Sequence, residues 1–221
     1  MLSGMRTNFD RDFDTISQDL VAMGARVENA LEEAVLALSK RDIPRAKAII
    51  AKDTEINALR FKIEEACIAL IATQQPTAGD LRAVIAVMHI VLEIERMGDH
   101  CAGIAKTVIL MKEEPLLKTL KKIPKMGTLS QQMLNDCIQA FLKRDTNWAR
   151  EIAARDAELD KLYRAVFNRL VKIMAESPEL VTRATYLLWC AHNLERIADR
   201  VTNIAEQIVF MRTGSMGELG H

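Results

Sequence analysis

The chain has 221 residues, with 30 basic and 30 acidic side chains and no formal net charge. Only 5% of residues are aromatic and there are nine glycines and five prolines, the composition of long packed helices and not of sheets. The charge balance argues against non-specific nucleic-acid binding, which needs a basic excess.

A first helix is expected from about Asn8 to Lys40. Its apolar positions Phe9, Phe13, Ile16, Leu20, Met23, Val27, Ala30, Ala34 and Ala37 alternate three and four residues apart, the spacing of one face of a bundle helix. Arg41-Asp42 breaks it, with Asp42 a candidate N-cap and Pro44 tolerated in the next first turn. The second helix uses Ile49, Ile56, Leu59, Ile63, Ala66 and Leu70 and ends near Gln74-Gln75-Pro76. Thr77-Ala78-Gly79-Asp80 resembles a capping box with aspartate in place of glutamate, and opens a third helix running to about Lys112. Glu113 to Pro124, with two prolines and a lysine cluster, reads as a solvated linker.

The fourth helix carries Met133, Leu134, Cys137 and Phe141. Arg144-Asp145 repeats Arg41-Asp42, and the fifth helix (Ile152, Leu159, Leu162, Val166, Ile173) repeats the second at an offset of 103. Ser177-Pro178 reads as an N-cap followed by proline at the first helical position. A sixth helix then runs to about Arg212, and Thr213 to His221 is expected to be a frayed tail.

The third and sixth helices repeat each other at an offset of one hundred. Glu95-Arg96-Met97-Gly98-Asp99 recurs as Glu195-Arg196-Ile197-Ala198-Asp199, and Ile-Ala follows each, at 104–105 and 204–205. The stripe Val87, Ile90, Ile94, Met97, Cys101, Ile104, Val108, Met111 matches Leu187, Cys190, Leu194, Ile197, Val201, Ile204, Ile208, Met211 position for position. A duplication of this kind predicts an all-α fold of two tandem three-helix bundles, each packed up-down-up as in spectrin repeats. The expected division is 1–114 for the first bundle, 115–124 for the linker and 125–221 for the second bundle.

The N-terminal residues include Arg6, Asp10, Arg11 and Asp12, which spoil any signal peptide. The longest apolar stretch, Ala83 to Leu92, falls far short of the roughly 20 residues a membrane span needs. Cys67, Cys101, Cys137 and Cys190 are scattered without a CxxC pair. A cytoplasmic chain without disulfides is therefore expected.

Glu95 and Asp99 lie about 150° around their helix from its apolar stripe, at roughly 100° per residue. Glu195 and Asp199 do the same, and Asp53 and Asp156 also point away from their own stripes. A solvated charged face is the ordinary explanation, but Asp53, Glu95 and Asp156 have no lysine or arginine three or four residues away. The like-charge pairs Glu95/Asp99, Asp156/Asp160 and Glu195/Asp199 each cost about 0.2–0.5 kcal/mol, which a bridging cation removes. Oxygen ligands of this kind suit Mg²⁺, Mn²⁺, Ca²⁺ or iron. His100 is expected to be solvated, and no Gly-rich phosphate loop or nucleophile–base pair supports catalysis.

Over nearly its whole length the chain resembles the PhoU proteins, bacterial regulators of phosphate uptake. The duplicated E(D)xxxD motifs, Glu95-Arg96-Met97-Gly98-Asp99-His100, Glu195-Arg196-Ile197-Ala198-Asp199 and Thr202-Asn203-Ile204-Ala205-Glu206 carry that resemblance. It implies a PhoU-like pair of three-helix bundles with metal on their surfaces, iron, Mg, Mn, Ca or Zn. The implied ligands are Asp53, Asn57, Glu95 and Asp99 in the first half and Asp156, Asp160, Glu195 and Asp199 in the second. Asn57 departs from the acidic pattern, so the first site is expected to be the weaker. The resemblance further implies a non-enzymatic cytoplasmic homodimer that restrains the phosphate regulon. Its implied partners are the ATPase subunit of the phosphate ABC transporter and a membrane sensor histidine kinase.

Two other functions fit parts of the pattern. A metal-independent helical adaptor or chaperone-like protein for another transporter needs only the bundles. A di-iron carboxylate enzyme needs inward carboxylates and a Glu-x-x-His pair from each of two helices. His89, His100 and His192 complete none, and the single one, Glu218 to His221, lies in the tail expected to fray. Met88 and Leu92, on the carboxylate side of the third helix, are expected to pack against a second subunit, the other bundle or a partner.

Overall fold

A computed structural model describes residues 2–112, 117, 121–215, 217 and 219, with side chains from Asn8 onward. Its helices are α1 (Leu2–Lys40), α2 (Ile43–Gln74), α3 (Ala78–Met111), α4 (Lys122–Lys143), α5 (Thr146–Ala154), α6 (Asp156–Glu176) and α7 (Val181–Thr213). Among the described residues there is no strand. Lys122, Ile123 and Pro124 of the expected linker form the first turn of α4, where Pro124 needs no amide partner. Most of the remaining linker lies outside the described residues.

The turn after α1 and the turn after α4 are built alike. Arg41 and Arg144 take left-handed φ values of 55° and 52°, where glycine is the usual residue. The amides of Asp42 and Asp145 then reach back to the carbonyls of Ala37 and Ala140, both at 2.9 Å, which is the Schellman closure. The same aspartates cap the following helices. Asp42 accepts from the Arg45 amide at 2.9 Å, and Asp145 from those of Asn147 and Trp148 at 3.0 Å.

Three further local expectations differ from the structure. The expected fifth helix is divided at Arg155, where three-residue bonds (Arg155 N to Ile152 O and Glu158 N to Arg155 O, both 3.0 Å) replace the α pattern. Ser177 makes no side-chain cap, because a 3₁₀ turn over Pro178–Leu180 intervenes before α7. The Thr77 hydroxyl donates to the Asp80 carboxylate at 3.0 Å and leaves the α3 amides uncapped.

α1, α2 and α3 pack together, and α4, α5 and α6 pack around α7. All sixteen stripe positions on α3 and α7 are buried, so the two helices have the same packing role. Seventeen of the 34 residues of α3 are buried, more than one apolar face supplies. The excess arises because α3 also packs against α7, and α1 against α4. Met88 and Leu92 are accordingly half-buried within the chain itself.

Both cross-contacts are reciprocal. A Cβ on Gly127 would come within 2.5 Å of Val35, and one on Gly24 would collide with Ile138, each pair being the other moved by 103 positions. On the second contact, Glu93 of α3 meets Asn203 of α7 at 3.0 Å, and Gly103 of α3 faces Asn193 of α7. The two halves therefore meet about an approximate two-fold axis, with α3 and α7 antiparallel. Among the described residues no helix is long and apolar enough to cross a membrane.

Candidate metal centres on the paired helices

Glu95 and Asp99 stand one turn apart on α3, and Asp53 and Asn57 one turn apart on α2. Close approach of the two helices at Gly98 brings the halves of the site together. A Cβ there would lie 3.1 Å from Ile56 and 3.4 Å from a carboxylate oxygen of Asp53. Burial, reinforced by the charges of Asp99 and Glu95, raises the Asp53 carboxyl above its ordinary value, and Lys106 partly offsets this.

Glu95 points away from the stripe of its own helix, yet its side chain is only 16% exposed. Arg60, from the neighbouring α2, covers it at 3.0 Å and also holds Glu64 at 3.2 Å. The cation that Glu95 lacks along its own helix is thus supplied across the groove. Helical periodicity on one element does not report what the next helix lays over it.

The second site is a cavity of about 420 Å³ lined by Asp156, Asp160, Glu195 and Asp199, with Arg196, Arg200, Thr202, Asn203 and Glu206. The Glu195 side chain is 12% exposed. Arg196 reaches over both motif carboxylates, at 2.8 Å from Glu195 and 2.9 Å from Asp199. His192 is 3.5 Å from Glu195, and Arg164 is 3.3 Å from Asp160. Asp199 is raised by burial and by Glu195, against the opposing pull of Arg196 and Arg200. Leu219 of the expected frayed tail donates its amide to Glu206 at 3.0 Å, which ties that point of the tail to α7.

In donor type the two sites fit a hard divalent cation, since every expected ligand offers carboxylate or amide oxygen. In arrangement they fit less closely. Among the described residues no three His, Cys, Asp or Glu side chains converge on a point that could hold a metal ion. Arginine already occupies Glu95 in one site and Glu195 and Asp199 in the other.

Sequence reasoning missed Glu93, a buried charged residue that links α3 to α7. It is 9% exposed and accepts from Arg96 at 2.6 Å, Asn203 at 3.0 Å and Arg200 at 3.3 Å. His100, expected to be solvated, is half-buried at the counterpart contact, its Nδ1 3.0 Å from the Asn193 carboxamide oxygen. The available signal was the departure from the repeat: position 93 is acidic and 193 is not, position 200 is arginine and 100 is not.

A family model described as the PhoU domain matches the chain twice, over residues 20–108 and 123–208. The phosphate-specific transport system accessory protein PhoU homologue of Streptococcus pneumoniae is 37% identical over 215 residues, 97% of this chain and 100% of that protein. The accessory protein PhoU of Escherichia coli is 33% identical over 209 residues, 93% of this chain and 86% of that protein. The crystal structure of the phosphate transport system regulatory protein PhoU from S. pneumoniae superposes with a TM-score of 0.89 at 36% identity, covering 95% of this chain and 99% of that one. PhoU from Pseudomonas aeruginosa superposes equally well at 31% identity, covering 94% and 100%. With both of its halves matched and its helical frame shared over 95% of its length, the chain belongs to the PhoU family.

Proposed function

We propose that this protein is an accessory regulator of phosphate transport that acts by protein contact in the cytoplasm and not by turnover. The observation that carries the reading is the match over 97% of the chain to a protein named as a phosphate-specific transport system accessory protein. Within that reading, the partners are the ATPase subunit of the phosphate ABC transporter and a membrane sensor histidine kinase. The consequence is restraint of the phosphate regulon when phosphate is plentiful, exerted by a homodimer.

The metal sites are part of the proposal. A divalent cation would be held by Asp53, Asn57, Glu95 and Asp99 on one bundle, and by Asp156, Asp160, Glu195 and Asp199 on the other. Its chemistry would be charge neutralisation between neighbouring helices. The oxygen-only donor sets and the raised carboxyls of Asp53 and Asp199 support that role. The arginines on Glu95, Glu195 and Asp199 favour a second reading, an adaptor that works without metal. Nothing in the buried cysteines supports catalysis, since burial raises all four thiols and withholds the reactive thiolate.

The test is affinity capture with the tagged full chain from phosphate-rich and phosphate-starved cells. Recovery of the transporter ATPase or a sensor kinase, changing with phosphate supply, is the expected result. Recovery of neither under both conditions contradicts the reading.

A further inference from the structure

The motif arginines Arg96 and Arg196 occupy equivalent places in the two repeats and do different things. Arg96 turns away from its own motif and bonds Glu93 at 2.6 Å. Arg196 turns into its motif and pairs with Glu195 at 2.8 Å and Asp199 at 2.9 Å. The residue three positions earlier accounts for the difference. In the first repeat it is Glu93, a carboxylate fixed from behind by Arg200 and Asn203 of α7. In the second it is Asn193, whose amide nitrogen is committed to the Trp189 carbonyl at 2.9 Å and whose oxygen faces His100. A neutral amide offers a guanidinium far less than a carboxylate does, so Arg196 falls back on the motif acids.

Resting on the metal reading above, we propose that Arg196 is a built-in counter-ion of the second site, displaced when a divalent cation binds. The residue at position 93 or 193 decides whether the motif arginine is held clear or lies across the acids. The two sites thus differ in kind as well as in charge. The first is kept free of its motif arginine by Glu93 and covered on one side only, by Arg60 at Glu95. The second has the fuller carboxylate set but must release Arg196 before Glu195 and Asp199 can serve as ligands. Through Arg200, which lines the second cavity and is anchored on Glu93, a residue of the first repeat also restrains a cation of the second.

Two variants separate the possibilities. Arg196→Gln removes the counter-ion, and Asn193→Glu gives it the resting place that Arg96 enjoys. Both are made in the full chain with the first site disabled by Asp53→Ala and Asp99→Ala, and Mn²⁺ is titrated by calorimetry. Each is expected to bind Mn²⁺ about two- to fivefold more tightly than the parent, the size of one partly exposed ion pair no longer competing. Unchanged affinity in both, with measurable binding in the parent, overturns the proposal. A crystal structure of Asn193→Glu prepared without metal gives a reading independent of Mn²⁺. The expected result is Arg196 turned onto the introduced carboxylate, as Arg96 is on Glu93. Arg196 still resting on Glu195 and Asp199 overturns the proposal, whereas failure of the wild-type chain to bind Mn²⁺ overturns the metal reading alone.

Discussion

Glu93 on α3 accepts a hydrogen bond from Arg200 on α7 at 3.3 Å, and at the equivalent positions of the repeat, offset by one hundred, Asn193 on α7 faces His100 on α3 at 3.0 Å. The contact between the halves is therefore duplicated in geometry but charged on one side only. Glu93 also takes Arg96 and Asn203, so three donors converge on one buried carboxylate.

Replacing Glu93 with glutamine keeps the shape and removes the charge from that convergence. The expected loss is about 1.5–3 kcal/mol, the range for a hydrogen bond to a charged group. Urea unfolding of the full chain measures it, and a double-mutant cycle with Arg200→Met isolates the share carried across the interface. A change within experimental error in Glu93→Gln would show that the contact is ornamental.

The α1–α4 contact makes a graded prediction. Alanine at Gly127 meets Val35, which is β-branched and has few rotamers to escape into. Alanine at Gly24 meets the terminal methyl of Ile138, which can rotate aside. Gly127→Ala is expected to cost about 1–3 kcal/mol and Gly24→Ala less, measured by chemical denaturation. The reverse order would mean that the helices slide to relieve one contact at the expense of the other.

Asp53 carries a pH signature. Its folded-state carboxyl is raised above its ordinary value, by burial first and then by Asp99 and Glu95. The folded chain therefore holds that proton more tightly than the unfolded chain. The stability this lends is fully present below the ordinary value of 3.8 and is lost as pH rises through the raised value. Asp53→Asn is thus expected to stabilise the metal-free protein at neutral pH, on the order of 0.5 kcal/mol for one relieved like-charge contact. The advantage should vanish below the carboxylate range. Thermal melts at pH 7 and pH 3 test this, and an advantage that grows on acidification would contradict it.

All four cysteines are buried, and burial pushes the Cys67 and Cys190 thiols up to about 12. A disulfide-exchange reagent at neutral pH is expected to label them only at the rate of unfolding. Rapid labelling of the native chain would show that the core opens more readily than its packing suggests.

Much of the fold is legible in the residues because the helices are long and their stripes unbroken. Ile94 and Leu194, or Cys101 and Val201, are buried where the three-four spacing places them. The second contact face of α3 and α7 is not legible that way. Its members include Gly103 and Asn193, a small and a polar residue whose contact depends on another helix lying close. The candidate ligands are visible as repeated carboxylates, and their partners are not. Arg60 reaches Glu95 from another helix, and Arg196 reaches Glu195 only because Asn193 does not hold it. Such contacts depend on helix order and rotamer, which periodicity along one element leaves open.

The central claim is regulation of phosphate transport by contact. Its most direct test is a phosphate-repressed reporter in the native host, with and without the gene, grown in phosphate-rich medium. The account predicts that deletion releases the reporter from repression and that the wild-type chain restores it. Reporter activity equally low with and without the gene would contradict the account.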